Sequence, residues 1–413
     1  MDTKHCPPIL LLKQFRQRSV TVMKIAILTG RFGMGHMTAA LAMKQQIELS
    51  HPKAEAEIID WLQYASPRLA DPYYAFFQLL VSKGQKLYNS RYRFLENRKT
   101  DQKPELCAFF IRCCARLIEE KEPDLVISTL PACSQIMSLY KERTGSSLPL
   151  ITCVTDITGH SEWINRNTDY YFVGSRSVAD KFMAKGVPPD KVFVTGLPVR
   201  PGFVEHTPGE ADAGVRCFRH ILIMGGGLGM LPRTLRFYSD LDHIPGARVT
   251  IITGKNHALY QRLQGRYENI RVLGYVPNVC DYMKQADIII TKPGGITTFE
   301  AIYAGVPILA LKPSLQQERY NAQYILDMGI GTVIPGSVRQ CLKEITRNLE
   351  DCCLTNYKNN VERLKNNLNQ HKLTEILEIA LSLASASENA AYRYRSRSDR
   401  EDCTIDETIS FNI

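Results

Sequence analysis

The sequence predicts an α/β protein built of two similar parallel-sheet domains that face each other across a cleft. Its 413 residues exceed what one hydrophobic core usually organises, so two domains are expected. Short apolar runs alternate with longer amphipathic stretches, which is the pattern of parallel β-α-β units. A stretch rich in proline, glycine and acidic residues, PGFVEHTPGEADAG, interrupts this alternation once, and the pattern then begins again.

The first domain is predicted to be Rossmann-like and to cover residues 23–200. Residues 1–22 precede its first strand-like run and are interpreted as an N-terminal extension. The strand candidates are, in chain order, KIAILT, EAEIIDW, DLVIST, LPLITCVTD, YYFVGS and VFVTG. Because ligands of open parallel sheets bind beyond the carboxyl ends of the strands, we expect the site in the cleft between the domains.

The second Rossmann-like domain is predicted to cover residues 215–353. Its strand candidates are HILIMGGGLGM, ARVTIITG, IRVLGYV, ADIIITKPGG and VPILAL. Residues 354–385 have helical periodicity and predict a C-terminal helix. Residues 386–413 mix arginine, serine, aspartate and asparagine with few apolar residues, so we expect a disordered tail there.

Composition narrows the class of protein. The formal net charge of +9 at pH 7 favours an anionic ligand or surface, without choosing between nucleic acid, lipid headgroup and nucleotide. No apolar run approaches the roughly 18 residues that span a bilayer, and the N-terminal PPILLL is too short for a secretory signal. The twelve cysteines include two adjacent pairs but no C-x-x-C, so we expect reduced, mostly buried thiols in a cytosolic protein.

A glycine-rich turn, GRFGMGH at residues 30–36, joins the first strand candidate to a helix candidate. Such a turn lets backbone amides approach a ligand closely at the start of a helix. The positions of Gly33 and Gly35 do not match the dinucleotide spacing, and no Walker lysine follows. His36 therefore either faces a ligand at the mouth of the helix or caps a tight turn.

Two glycine turns in the second half suit a diphosphate. MGGGLGM places Gly226 and Gly227 directly after a strand candidate. KPGGITTFE places Gly295 and Thr297 at the positive end of a helix candidate, where an anion is favoured. Glu300, one turn further, either accepts hydrogen bonds from a ribose diol or is an ordinary surface residue of the helix.

Two further segments carry polar groups beside the expected cleft. QQERYN follows a strand and supplies the mixed donors and acceptors that sugar hydroxyls need, through Gln317, Glu318 and Asn321. The alternative is a polar loop that caps a helix. TGLPVRPGF places Arg200 at the domain boundary, where its guanidinium either clamps a diphosphate or forms a salt bridge at the hinge.

Taken together and in this order, the segments resemble the glycosyltransferase-B architecture. Within it they resemble glycosyltransferase family 28, which includes galactolipid synthases, processive diacylglycerol glucosyltransferases and the N-acetylglucosaminyltransferase that forms lipid II. The resemblance covers about residues 23–350. It implies that His36 is the general base at the end of the glycine loop. It also implies an acceptor side that comprises Gly33 and Gly35 and, from TDITGHSEW, Asp156, His160 and Trp163.

The resemblance also assigns the donor side. It implies that the backbone of Val276 in GYVPNV reads uracil, that Glu300 binds the ribose, and that QQERYN reads the sugar. Gln316 replaces the glycine that is usual in the last segment, and the choice between glucose and galactose stays open. The remaining implied donor-binding residues are Arg200, Gly226, Gly227, Gly295, Thr297, Gln317, Glu318 and Asn321.

The implied activity is the inverting transfer of a hexose from a UDP-sugar to diacylglycerol or a glycosyl-diacylglycerol. Neither a metal ion nor a cofactor is expected, because backbone amides, helix ends and Arg200 neutralise the leaving diphosphate; the UDP-sugar is a co-substrate. Alternatives are N-acetylglucosaminyl transfer to a polyprenyl-linked acceptor, glycosylation of a secondary metabolite, sugar-nucleotide 2-epimerisation and non-catalytic sensing. The HSEW match disfavours the polyprenyl acceptor, the lack of acidic residues in 30–36 disfavours the epimerase, and the presence of His36 and Glu300 disfavours a sensor.

A basic and aromatic segment at residues 73–99, YYAFFQLLVSKGQKLYNSRYRFLENRK, bears on the acceptor. It either lies in a membrane interface, with rings at headgroup level and cations toward anionic lipid, or forms a core-facing helix with a solvated basic face. The resemblance favours the interface. We therefore expect a lipid acceptor and an anionic membrane as partners, no nucleic acid, and a cytoplasmic location at the inner face of the cell membrane. The cations are Lys83, Lys86, Arg91, Arg93, Arg98 and Lys99.

Overall fold

A computed structural model contains two six-stranded sheets, one from each half of the chain, and every strand pair in them is parallel. The predicted fold of two Rossmann-like α/β domains is confirmed. The structure describes residues 22–96, 100–101, 107–204, 218–226, 229–232, 234–368, 375 and 378. The predicted tail, and all but the last residue of the predicted N-terminal extension, lie outside these described residues.

The first sheet is formed by β1 Lys24–Thr29, β2 Glu55–Asp60, β3 Leu125–Ser128, β4 Leu150–Cys153, β5 Tyr170–Val173 and β6 Val192–Val194. The strand order is β2-β1-β3-β4-β5-β6. The helices of this half are α1 Met34–Ser50, α2 Trp61–Ala65, α3 Pro67–Lys83, α4 Gln85–Glu96, α5 Cys107–Lys121, α6 Pro131–Thr144, α7 Arg176–Ala184 and α8 Pro201–Val204.

The second sheet is formed by β7 Arg219–Met224, β8 Ala247–Ile252, β9 Ile270–Leu273, β10 Ile288–Thr291, β11 Ile308–Ala310 and β12 Gly331–Val333. The strand order is β12-β11-β10-β7-β8-β9. The helices are α9 Leu235–Asp242, α10 His257–Leu263, α11 Val279–Gln285, α12 Gly295–Ala304, α13 Gln316–Asp327, α14 Val338–Asn348 and α15 Asp351–Asn367.

Each sheet has one point where the order of the strands reverses, between β1 and β3 in the first and between β7 and β10 in the second. Loops that leave neighbouring strands in opposite directions open a crevice at such a point, and open α/β sheets bind their ligands there. The glycine turns predicted from the sequence follow β1, β7 and β10. The topology therefore brings all three turns to the two crevices.

The domains meet closely where α12 begins. A Cβ atom built on Gly295 would lie 2.5 Å from the carbonyl oxygen of Thr155, which follows β4 in the first domain. A side chain larger than hydrogen would push this carbonyl away. One hydrophobic cluster continues beneath this contact and takes residues from both halves, including Val154, Leu197 and Phe299.

The C-terminal part of the chain returns to the first domain. Helix α15 packs on α12, and Leu368 then reaches the turn at Gly196. Beyond residue 368 the predicted helix of residues 354–385 is described only at residues 375 and 378. Among the described helices, none is long and apolar enough to span a membrane. The nine described cysteines are all free thiols and six of them are buried, as the sequence predicts.

Candidate active site

His36 projects from the first turn of α1. Gly33, immediately before the helix, has a φ of 107°, a left-handed conformation that glycine adopts without strain. No side chain caps the start of α1, so the interpretation of His36 as a helix cap is wrong. Its Nδ1 atom instead lies 2.8 Å from the carbonyl oxygen of Thr129 and 2.9 Å from the hydroxyl of Thr155.

These two contacts assign the tautomer of His36. A backbone carbonyl only accepts hydrogen bonds, so Nδ1 carries the proton and donates it to Thr129. Nε2 of the neutral ring is then left with a lone pair, which is the form that accepts a proton from a substrate. Sequence analysis did not identify Thr129 or Thr155, although each follows the carboxyl end of a buried strand, where site residues of such sheets lie.

A buried carboxylate completes the surroundings of His36. Burial lowers the pKa of the His36 imidazole, while the charge of Asp156 and the hydrogen bond to Thr129 oppose that shift. Burial likewise raises the pKa of Asp156, against the influence of His36, His160 and a hydrogen bond from Trp163. The imidazole is therefore neutral at physiological pH, and a neighbouring carboxylate stabilises the imidazolium that forms when it takes a proton.

The predicted acceptor-side residues separate into two layers. Asp156 and Trp163 lie beside His36, and the rings of Trp163 and His36 are 6.3 Å apart. His160 lies behind them and is 1% exposed; its Nε2 donates to the carbonyl of Tyr92 at 3.0 Å. Its Nδ1 accepts from the backbone N–H of Glu162 at 3.3 Å. Nε2 of His160 thus holds α4 against the acceptor-side loop, while the bond to Nδ1 lies within that loop.

On the donor side, Glu300 is 5% exposed within α12, and burial raises its pKa to about 7 despite the nearby Arg200. Arg200 Nη2 lies 3.3 Å from the Glu300 carboxylate, so the hinge salt bridge considered in the sequence analysis is present. Arg200 Nη1 donates to the carbonyl of Pro277 at 2.8 Å, next to Val276. Arg200 Nε is buried and has no hydrogen-bond partner within the described part of the chain.

The predicted diphosphate-binding turns differ in exposure. Gly294 precedes α12 without a side-chain cap, so no side chain satisfies the first N–H groups of this ten-residue helix. Thr297 is half-buried, whereas Gly295 is buried against the Thr155 carbonyl. Gly226, in the turn after β7, has a φ of 68° and no atom within 4 Å of a built Cβ. Gly227 lies outside the described residues.

Two of the residues predicted to bind the sugar, Glu318 and Asn321, already form hydrogen bonds within the protein. Glu318 accepts hydrogen bonds from the backbone N–H groups of residues 314 and 315, and its other oxygen lies 2.5 Å from Lys292 Nζ. This carboxylate therefore caps α13, which was the alternative interpretation. Asn321 is 2% exposed; it accepts from Ile157 N at 3.2 Å and donates to Pro293 O at 3.0 Å. It thus joins the loops of the two domains.

The basic and aromatic segment forms α3 and α4 on the surface. Only Ala70 and Tyr74 of α3 are buried, so α3 does not match the alternative of a core-facing helix with a solvated basic face. Helix α4 matches that alternative in part, since it buries Tyr92 and exposes its cations. The four cations of the segment that the structure describes are exposed, whereas Arg98 and Lys99 lie outside the described residues. The large apolar residues of α3 and α4 that expose half or more of their surface are Leu69, Tyr73, Phe76, Leu79, Leu87 and Phe94.

Comparisons with known proteins identify the family of the chain. The family model for monogalactosyldiacylglycerol (MGDG) synthase matches residues 36–199, and that for the glycosyltransferase family 28 C-terminal domain matches residues 220–378. A processive diacylglycerol beta-glucosyltransferase of Bacillus subtilis (strain 168) is 28% identical over 87% of this chain and 94% of its own length. One from Bacillus thuringiensis (strain Al Hakam) is 30% identical over 75% and 82%.

Solved structures share the two-domain fold. The glycotransferase of kitacinnamycin superposes with a TM-score of 0.59 at 12% identity, covering 87% of this chain and all of that one. MurG of Acinetobacter baumannii superposes with a TM-score of 0.58 at 14% identity, covering 87% of this chain and 99% of its own. The predicted glycosyltransferase-B architecture is confirmed.

The electrostatics of His36 can be tested without substrate. We expect its imidazole to titrate below the ordinary value of about 6.5, because burial disfavours the charged form. Asp156→Asn removes a negative charge that favours imidazolium, so the pKa of His36 falls further in this variant. Histidine ring resonances followed by NMR across the pH range measure both values. A His36 pKa at or above 6.5, or a rise in Asp156→Asn, would contradict this account.

Proposed function

The chain belongs to the family of galactolipid synthases and processive diacylglycerol glucosyltransferases and is a glycosyltransferase, and we propose that it moves glucose or galactose from a UDP-sugar to diacylglycerol or a glycosyl-diacylglycerol. One observation carries the proposal. Thr155 contacts the proposed base on one side, 2.9 Å from His36 Nδ1, and its carbonyl faces Gly295 at the start of α12 on the other. A proton acceptor and an anion-binding helix start thus adjoin a single residue.

This arrangement suits a single displacement. Nε2 of His36 takes the proton of the acceptor hydroxyl as its oxygen bonds to the anomeric carbon. The bond from that carbon to the UDP oxygen breaks, and UDP leaves with the electron pair from the opposite face, so the configuration inverts. Asp156 stabilises the imidazolium, and the start of α12 with Arg200 stabilises the departing diphosphate. The UDP-sugar is the only co-substrate in this scheme.

The donor assignments are part of the proposal. Glu300 accepts the ribose hydroxyls and the backbone of Val276 reads the uracil. The turns at Gly226 and Gly227 and at Gly295 and Thr297 hold the diphosphate, and the 316–321 segment reads the hexose. The proximity of Val276, Arg200 and Glu300, linked through the contact between Arg200 and the Pro277 carbonyl, supports one nucleoside site.

The surface of α3 and α4 supports a lipid acceptor drawn from an anionic membrane. Exposed apolar side chains and exposed cations on adjacent helices suit an interfacial position, with rings at headgroup level. The ring of Phe32, in the turn before α1, packs edge-on against Tyr74 and Phe77 of α3 at 5.0 and 5.1 Å. The proposed membrane face is thereby continuous with the turn that precedes the proposed base, and we propose a peripheral location at the inner membrane surface.

The reaction is tested with His36→Ala, a panel of UDP-sugars and diacylglycerol vesicles, with products identified by mass spectrometry. We expect the parent protein to form a glycolipid and His36→Ala to lose about 10²- to 10⁴-fold in rate while still binding UDP. His243→Ala is a matched control, because that ring also bonds a backbone carbonyl, at 2.6 Å from Ser239 O. A folded His36→Ala protein with near-parental transfer would rule out this base.

The ribose contact predicts a pH dependence of donor binding. Glu300 has a pKa of about 7, so its carboxylate is mostly ionised at about pH 8 and mostly protonated at about pH 6. Ribose hydroxyls donate to the ionised form, and the affinity for UDP-glucose should therefore fall up to about tenfold on acidification. UDP-glucose is used because the terminal phosphate of UDP itself titrates near about 6. Calorimetry measures the affinity of the parent and of Glu300→Gln for UDP-glucose at both pH values. If the affinity of the variant depends on pH as strongly as that of the parent, Glu300 is not the titrating group.

Vesicle binding tests the membrane surface. Replacing Lys83, Lys86, Arg91 and Arg93 by serine should reduce co-sedimentation with anionic vesicles about tenfold or more, and salt should weaken the parent's binding, since exposed charges are screened over roughly 8 Å. A control variant removes the same charge from α14 and α15 and should pellet like the parent. Equal pelleting of both variants would refute the assignment of this surface. The control substitutes serine for Arg339, Lys343, Arg347 and Arg363.

A further inference from the structure

Helix α4 reaches across the cleft to the segment proposed to read the sugar. The hydroxyl of Tyr88 donates to Gln317 Oε1 at 2.9 Å. The adjacent Asn89 donates to the carbonyl of Ser314 at 3.0 Å and accepts from the backbone N–H of Gln316 at 2.8 Å. One amide side chain thus pairs with both a donor and an acceptor of the loop before α13, which fixes the distance and orientation of α4 relative to that loop.

The same helix is fixed to the first domain. The carbonyl of Tyr92 accepts from His160 Nε2 at 3.0 Å, and the two rings have centroids 4.3 Å apart. At the end of α4 the Glu96 carboxylate accepts from the Tyr320 hydroxyl at 2.7 Å, which adds a second side-chain contact to α13. Helix α4 is therefore a bridge between the acceptor-side loop and α13.

Tyr88 lies between the groups proposed to handle acceptor and donor. Burial raises the pKa of its hydroxyl, and the charges of Asp156, Glu162 and Glu318 raise it further. The phenol therefore stays protonated at any physiological pH and remains a hydrogen-bond donor. Its nearness to Asp156 on one side and to Gln317 on the other places this ring in the cleft, not on the outer surface of α4.

The bond from Tyr88 determines what Gln317 offers to a ligand. With Oε1 occupied, the Nε2 amino group is the free end of the amide, and it makes no hydrogen bond to any residue that the structure describes. Glu318 and Asn321, its neighbours in the predicted trio, are committed to the capping of α13 and to the loop of Ile157. Gln317 is thus the member of the trio with a donor group left for a sugar hydroxyl.

We propose that Tyr88 is a positioning residue for the transferred hexose: its hydroxyl holds Gln317 with the amino group toward the sugar, so that sugar selection depends on a residue of the acceptor domain. This inference rests on the proposed function, because it concerns the hexose of the UDP-sugar. It assigns no contact between Tyr88 and the nucleotide. Loss of the phenolic hydroxyl should consequently lower the affinity for the UDP-hexose and leave the affinity for UDP unchanged.

The test is Tyr88→Phe, which keeps the ring and removes only the hydroxyl, compared with Tyr320→Phe, which removes the other tyrosine bond between α4 and α13. We expect Tyr88→Phe to bind UDP like the parent but to lose about three- to tenfold in affinity for the preferred UDP-hexose, as is typical of one lost hydrogen bond. The KM for the donor should rise more than kcat falls, and the preference between UDP-glucose and UDP-galactose should narrow.

The control variant distinguishes the positioning of Gln317 by Tyr88 from a general weakening of the contact between α4 and α13. Tyr320→Phe should keep the parental preference between the two donors and the parental ratio of UDP-hexose to UDP affinity. Parental donor preference in Tyr88→Phe, or an equal loss of preference in both variants, would overturn the inference while leaving the proposed function intact. A parent protein that binds neither UDP nor any UDP-hexose in calorimetry would overturn both.

Discussion

The close contact between Thr155 and Gly295 is the constraint on which the rest of the site depends. It brings the carboxyl end of one sheet against the start of a helix from the other, and it requires glycine at position 295 because a Cβ would lie 2.5 Å from the Thr155 carbonyl. The hydroxyl of the same threonine is 2.9 Å from His36. The position of His36 relative to the start of α12, the proposed base and the proposed anion site, is therefore linked to one close contact between the domains.

Each of two carboxyl groups in the cleft is paired with a basic side chain. Glu300 is buried against Arg200, and Asp156 is buried beside His36, so each carboxylate has a cationic or protonatable partner within the protein. Burial keeps the pKa values of both carboxyls above their usual range, because neither partner offsets the loss of water. Apolar side chains, among them Phe299 and Leu197, form a buried cluster that takes residues from both domains.

Much of this could be predicted from the sequence because it is encoded locally. Strand periodicity and the glycine turns predict two parallel sheets and place His36 and the start of α12 at their carboxyl ends. The role of Glu318 as a helix cap was an open alternative, since a capping glutamate and a sugar-binding one have the same spacing. The contacts of Tyr88 and Asn89 with α13 have no local signal, because they depend on how the two domains are oriented. The same holds for Thr155, whose partners lie in α1 and α12.

Contacts between the domains are found on both sides of the cleft. Helix α8 contacts both α1 and α12, and Leu368, after α15, reaches the turn at Gly196. On the other side, Tyr88 and Asn89 of α4 form hydrogen bonds with Gln317 and with the loop before α13. Any widening of the cleft on the α4 side would therefore have to break these hydrogen bonds, whereas the contacts at α8 could remain.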